Sequence, residues 1–249
     1  MELSLVIPDL GIPGIRAACT TRAGGVSTGC YASMNLGLHT GDDPAAVLRN
    51  REILRRELGV GQVAYVRQIH GITVAGAAEA AAKDPDHPLE ADALICRDRG
   101  TAAAVMTADC LPVLLAAGDG SVAAAAHAGW RGLCDGVLEN TLAAMDTDPA
   151  EIRAWLGPCI GPDSFEVGPE VREAFLRRDP ECGDCFRPGK GDRLLASLPA
   201  LAVRRLLRAG LLRSRISGGD LDTFTSTHRF FSYRRERITG RMASLIWLD

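Results

Sequence analysis

Three short polar elements each close an apolar run in this chain. QIHG, with His70, follows VAYV; TADC, with Cys110, follows AAAVM; and AHAGWRG, with His127, follows VAAAA. If the runs are neighbouring strands pointing the same way, their ends gather two imidazoles and a thiolate at one sheet edge, where α/β sites are commonly built. Two nitrogens and one sulfur suit zinc, and three protein ligands leave a fourth position for water, the pattern of a catalytic zinc. Zinc held there would acidify that water and polarise a bound oxygen. Its affinity should fall in acid, because the ligands are a deprotonated thiol and neutral imidazoles. Taken singly, each histidine reads as a satisfied turn residue and Cys110 as a small buried hydrophobe. Three in parallel contexts read as a site. Asp109, next to Cys110, either orients a ligand histidine or carries a proton.

The elements that must position these residues follow from pattern and punctuation. Short apolar runs bounded by glycine or proline predict strands over 2–7, 15–21, 63–66, 91–96, 102–106 and 122–126, with a last strand within 242–248. Residues 44–58 read as a helix, with Asp43 as cap, Pro44 in the first turn and Gly59 as stop. Further helices are expected over 133–145, 169–178 and 192–209. Strands and helices without strict βαβ alternation predict an α+β fold, mixed β-sheets flanked by helices, in a single domain spanning 1–249.

Composition narrows the partners. With 249 residues, 47% hydrophobic and 24% charged, the balance is that of an ordinary globular protein. A formal charge of −3 offers no general field for a phosphate backbone, so a small molecule is expected and nucleic acid is not. The opening MELSLVIPDLGIPGIRA lacks a basic stretch before an apolar block, and no apolar run approaches the roughly 18–20 residues that span a bilayer. The expectation is a cytoplasmic protein, a monomer or weak homodimer, whose eight cysteines are reduced thiols. The lone C-x-x-C at Cys182 and Cys185 reads as a solvent-side loop, since no second ligand pair follows it.

The blocks TTRAGGVS, MNLGLHTGDDPAAVLRNR, QIHG, ADALI, TADCLPVLL, AHAGWRGL, GPCIGPDSFEVG and FFSYRR…TGRMASLIWL occur in this order from position 20 to the C-terminus. Together they resemble the YfiH-like family, long called laccase-domain or polyphenol oxidase proteins and described more recently as purine nucleoside phosphorylases. The resemblance implies metal ligation by His70, Cys110 and His127, the three residues chosen on chemistry. It further implies phosphorolysis of adenosine, inosine, guanosine and S-methyl-5′-thioadenosine, and hydrolytic deamination of adenosine.

Phosphorolysis needs an anion held beside a sugar that develops positive charge, which asks for arginine and backbone N–H groups. The candidates are Arg22 with Gly24 and Gly25, Arg51, and Arg131; for each, a surface ion pair or an ordinary turn is the plain alternative. Cys159 in GPCIGP lines the pocket or fills a tight turn, and Trp130 stacks a purine or anchors packing. His39 reads as structural and His87 as solvent-side, while His228 stays unassigned. Where many relatives carry a cysteine before the threonine, this chain has Asp222 before Thr223.

Two other functions compete. A multicopper oxidase needs more imidazoles than the five histidines present, although one copper on two histidines, Cys110 and an axial Met106 is arithmetically possible. A cysteine hydrolase with Cys110 as nucleophile and His127 as base, editing peptidoglycan precursors, leaves His70 without a part. The ordinary zinc deaminase signature, H-x-E followed by P-C-x-x-C, is absent, so any deamination uses a different site plan.

Overall fold

A computed structural model describes residues 3–249. Along the chain the strands are β1 (Leu5–Val6), β2 (Ile15–Thr20), β3 (Gln62–Ala64), β4 (Val74–Gly76), β5 (Ala93–Cys96), β6 (Thr101–Thr107) and β7 (Leu111–Ala117). They continue with β8 (Ala123–Ala128), β9 (Ile152–Leu156), β10 (Glu166–Val167), β11 (Phe186–Pro188), β12 (Leu194–Ala196), β13 (Ile216–Gly218) and β14 (Met242–Leu248). The helices are α1 (Pro44–Leu58), α2 (Ala77–Ala81), α3 (Trp130–Asp135), α4 (Val137–Met145), α5 (Pro169–Arg178), α6 (Leu198–Arg208) and α7 (Tyr233–Glu236).

Two mixed sheets carry the fold. One runs β1-β2-β14-β6-β3 and the other β13-β9-β7-β8-β5-β4, with a small sheet β10-β12-β11 beside them. The large sheets face each other across a core built from Cys19, Ala103, Val105 and Ile246 on one side and Leu94, Leu114, Ala123, Ala125 and Trp155 on the other. Alanine dominates both contributions. With side chains this small, Cα atoms of β6 come within 8 Å of β5 and β8, closer than the ~10 Å usual between stacked sheets. Helices α3 to α6 close the far face of the six-stranded sheet, and α1 with the loop around Met34 and Leu36 closes that of the other.

Most expected elements form. α1 has the expected cap: Asp43 accepts from Ala45 N, Pro44 opens the helix, and Gly59 ends it in a left-handed conformation. The strand expected from residue 2 is observed as β1, residue 2 itself lying outside the described residues. Two helices differ. The segment 133–145 is broken at Gly136 (φ 113°), giving α3 and α4. The helix expected from 192 starts only at Leu198, where the Ser197 side chain accepts from Ala200 N, because 194–196 pair in β12. Cys182 and Cys185 are not in a solvent-side loop; both side chains are buried in a short turn packed against α5 and α6.

The arrangement of the three ligand-bearing runs also needs correction. β3 and β6 are parallel neighbours, but β8 lies in the other sheet, antiparallel to β5 and β7. The residues meet because the chain passes between the large sheets three times at one end of the sandwich, the third time over residues 219–241, from β13 to β14. Residues 65–73 lead from β3 to β4 and carry His70; residues 108–110 lead from β6 to β7 and carry Cys110. His127 lies on β8 in the alternation of Ala123 and Ala125, so it points between the sheets toward both of these crossings.

Candidate metal centre

The ligand atoms of His70, Cys110 and His127 all lie within 4.8 Å of one another. Cys110 Sγ is 3.8 Å from His70 Nε2, and the two imidazoles meet edge to face with centroids 4.8 Å apart. Ligands on a tetrahedral zinc at ordinary bond lengths sit about 3.3–3.8 Å apart, so the Cys110–His70 spacing is already near that range and the widest must close by about 1–1.5 Å. Gly129 fits the same reading: a Cβ there would lie 3.0 Å from both Cys110 Sγ and His70 Cδ2 and 3.5 Å from His127 Cε1. The donor set and the cleared space therefore fit a metal ion. Exposure is graded, with His127 buried, Cys110 intermediate and His70 exposed, so the cluster opens to one side.

Its support comes from a residue the sequence reading passed over. Asp92 opens the β5 segment and is wholly buried. One carboxylate oxygen accepts from His127 Nδ1 at 2.8 Å and His70 N at 3.0 Å; the other accepts from Gly71 N at 2.6 Å and Ile69 N at 3.2 Å. Burial alone would raise its pKa, but the imidazole and the backbone N–H groups outweigh that and hold it below the ordinary value. With Nδ1 donating to Asp92, His127 keeps Nε2 for a ligand role. His70 has φ 59°, and the three N–H groups on Asp92 hold its loop in that shape.

The thiol and imidazole are electrostatically paired. Burial pushes Cys110 up, yet His127 and His70 bring it down to about 6; burial pulls His127 down, yet Cys110 and Asp92 carry it up to about 9. The common direction is a deprotonated thiol with the proton held on His127, and a metal bound by both would take the place of that proton on Nε2.

The three residues line a cavity of about 980 Å³ together with His39, Arg51, Tyr65, Lys83, Tyr233 and Arg241. That size is at the upper end for a small-molecule site. Of the arginines chosen from sequence, only Arg51 lines it. Arg22 is occupied by Ala32 O, Thr227 O and Glu236 and lies over Phe231. Arg131 is exposed and stacks on Trp130. Gly25 is needed for packing, since a Cβ there would lie 2.3 Å from Ser33 O. Cys159 is buried, its thiol raised by burial and by the nearby carboxylates, and it is not among the lining residues.

Asp109 is hydrogen-bonded to the C-terminal segment rather than to a histidine of the cluster. Its carboxylate accepts from Thr223 Oγ1 and from Arg234 N, each at 2.6 Å, tying the Cys110 crossing to the C-terminal segment; Asp92 is the carboxylate that orients a histidine. Asp222 accepts from Gly161 N and Phe224 N and so closes the turn that holds Cys159. Met106 offers its sulfur to Arg51 Nη2 at 3.8 Å, which disfavours the axial-ligand reading. His87 and His228 are exposed. His39, expected to be structural, lines the cavity. Among the described residues no other histidine–cysteine group has metal-binding spacing.

Comparison with known proteins places this architecture. A family model described as multi-copper polyphenol oxidoreductase laccase matches residues 16–249. The Escherichia coli (strain K12) protein named purine nucleoside phosphorylase YfiH is 46% identical over 249 residues, covering 98% of each chain. A purine nucleoside phosphorylase of Pseudomonas aeruginosa is 45% identical, covering 97% of each. The crystal structure of a Neisseria meningitidis protein superposes with a TM-score of 0.93 at 48% identity, over 98% of this chain and 99% of that one. YlmD from Geobacillus stearothermophilus follows at 0.89 and 31%, over 95% and 93%. With the family model matching residues 16–249 and relatives 45–46% identical along nearly the whole chain, the chain belongs to the YfiH family of laccase-domain proteins.

Proposed function

We propose that this chain is a zinc-dependent purine nucleoside phosphorylase. Its substrates on this reading are adenosine, inosine, guanosine and S-methyl-5′-thioadenosine, with hydrolytic deamination of adenosine as a further activity of the same site. The observation that carries the reading is one cavity lined both by the three residues of the candidate metal site and by Arg51 and Arg241, neither of which pairs with a carboxylate among the described residues. The names borne by the relatives in Escherichia coli and Pseudomonas aeruginosa support it.

In phosphorolysis a phosphate oxygen forms a bond to C1′ while the C1′–N9 bond breaks. Its electron pair leaves with the purine, which takes up a proton, and the products are free base and sugar 1-phosphate. His70, Cys110 and His127 hold the metal, which supplies Lewis-acid polarisation when bound. Asp92 fixes the orientation of His127 and of the His70 loop.

The test is metal analysis of the protein as purified, with an adenosine assay run with and without phosphate and read by chromatography. About one zinc per chain, with adenine forming only when phosphate is present, is the expected result; inosine formed without phosphate reports deamination. Cys110→Ala and His127→Ala should each lose metal and adenine formation together while remaining folded. Copper without purine turnover would return the oxidase reading. A cysteine hydrolase draws on one observation, the contact of Asp92 with His127 beside Cys110; hydrolysis by a metal-stripped protein is the result it requires.

A further inference from the structure

Arg51 and Arg241 come from opposite ends of the chain, α1 and the start of β14, and line the same cavity. Neither has a carboxylate partner among the described residues, although the protein pairs many of its other arginines. Burial lowers the pKa of both guanidiniums, a cost that a structural arginine ordinarily offsets with an acid.

Their protein contacts orient them without neutralising them. Arg51 Nε donates to Leu36 O at 2.9 Å, and its guanidinium lies 3.8 Å over the ring of Tyr65, whose buried hydroxyl has no partner among the described residues. Arg241 Nη1 donates to Thr239 O and Gly240 O, leaving Nε and Nη2 without acceptors among the described residues. One loop holds both side chains. Leu36 N donates to Arg241 O, Arg241 N donates to Asn35 Oδ1, and Gly37 leaves room for the Arg241 stem, since a Cβ there would lie 3.0 Å from Arg241 Cγ. The next turn of that loop carries His39, close enough to both guanidiniums for their charge, after burial, to lower its pKa. Cys110, His70 and His127 line the same cavity as these two arginines.

We infer that Arg51, Arg241 and His39 form the binding site for a tetrahedral oxyanion, inorganic phosphate in the phosphorolytic reaction. This rests on the reading of the cavity as a phosphorylase site. A guanidinium fork pairs with two oxygens of a phosphate, so two of them on one cavity wall suit a tetrahedral oxyanion, and the imidazole adds one further donor or acceptor. Arg131 and Arg22, favoured by their glycine neighbours, have no part in it.

The experiment is calorimetric titration of the metal-loaded protein with inorganic phosphate, sulfate and acetate, for the unaltered chain and for Arg51→Lys, Arg241→Ala, Arg241→Lys and Arg131→Ala. Arg51→Lys keeps the charge over Tyr65 and guards against a folding failure. Phosphate affinity is expected to fall about 10–100-fold in each Arg51 and Arg241 variant, with one metal per chain retained and Arg131→Ala unchanged. Sulfate should compete with phosphate and acetate should not. Phosphate affinity that stays within about twofold in both Arg241 variants, or acetate that binds as tightly as phosphate, overturns the assignment. The same variants separate the two readings: phosphate bound through these arginines with no adenine formed rejects the phosphorylase and keeps the oxyanion site. Adenine formed at an unchanged phosphate KM does the reverse.

Discussion

At the scale of single residues, the ligands were legible and their support was not. His70, Cys110 and His127 stand out because a histidine or cysteine closing an apolar run is an unusual use of a polar side chain. Asp92 sits in an equally visible place, the only charge in ADALIC, but an acid at a strand start also fits an exposed cap. What distinguishes it is non-local: four N–H groups from two separated segments converge on it. Arg241 was hidden for the same reason, being one of many arginines until the fold set it opposite Arg51. Asp92→Asn keeps the size but replaces one acceptor oxygen by an amide that cannot receive the loop N–H groups. Metal affinity is expected to fall about 10–100-fold, measured by competition with a chromogenic chelator. An unchanged affinity would show that His127 holds its orientation without the carboxylate.

Elements show where local pattern was enough. α1 and α5 match their expected bounds because caps, proline and last-turn basic residues are all local signals. β7, absent from the expected strands although LPVLL is plainly apolar, becomes central because β8 and β9 pair with it on either side. The alanine runs in β6 and β8 carry weak strand propensity, and close sheet packing decides them. Gly129 joins β8 to α3, and Gly129→Ala should cost metal binding far more than stability, since the new methyl would meet Cys110 Sγ and His70 at 3.0 Å. Metal analysis beside a thermal melt checks that split. At the far side, Asp179 ties the end of α5 to Arg204 and Arg208 of α6, and Arg204, foremost, holds its carboxyl at about 2. The folded pKa lies below the unfolded one, so this stabilisation is complete above the unfolded value near 4 and is lost as pH falls toward 2. Allowing for partly exposed arginines, Asp179→Asn should lose about 1–2 kcal/mol at pH 7. Its denaturation midpoint should converge with that of the unaltered chain near pH 2; equal stability at pH 7 would rule the contribution out.

For the whole molecule, the question is whether the metal builds the fold or only uses it. The fold class followed from the mixture of strands and helices, but not the partition of strands between two sheets, because alternation along a strand says which residues face inward and nothing about which sheet it joins. That partition decides the role of the site. His70 and Cys110 lie on two of the crossings between sheets and His127 on a central strand, so a bound ion would bridge segments that the alanine-rich core already holds together. Asp92 likewise fixes the His70 loop to His127 through protein hydrogen bonds alone. Removing the ion should therefore leave a folded chain, unlike a zinc finger, whose folding free energy is its metal-binding free energy. With free zinc at about 100 times Kd, mass action stabilises the native state by about 2.7 kcal/mol. For a chain of this size that is about 5–10 °C in Tm. Thermal melts in chelator and in excess zinc, with far-ultraviolet circular dichroism at the lower temperature, measure it. A cooperative transition in chelator, shifted down by that amount, is the expected outcome. Loss of secondary structure on chelation would instead make the ion a staple between the sheets, and the open side of the ligand cluster would then have to be explained by something other than catalysis.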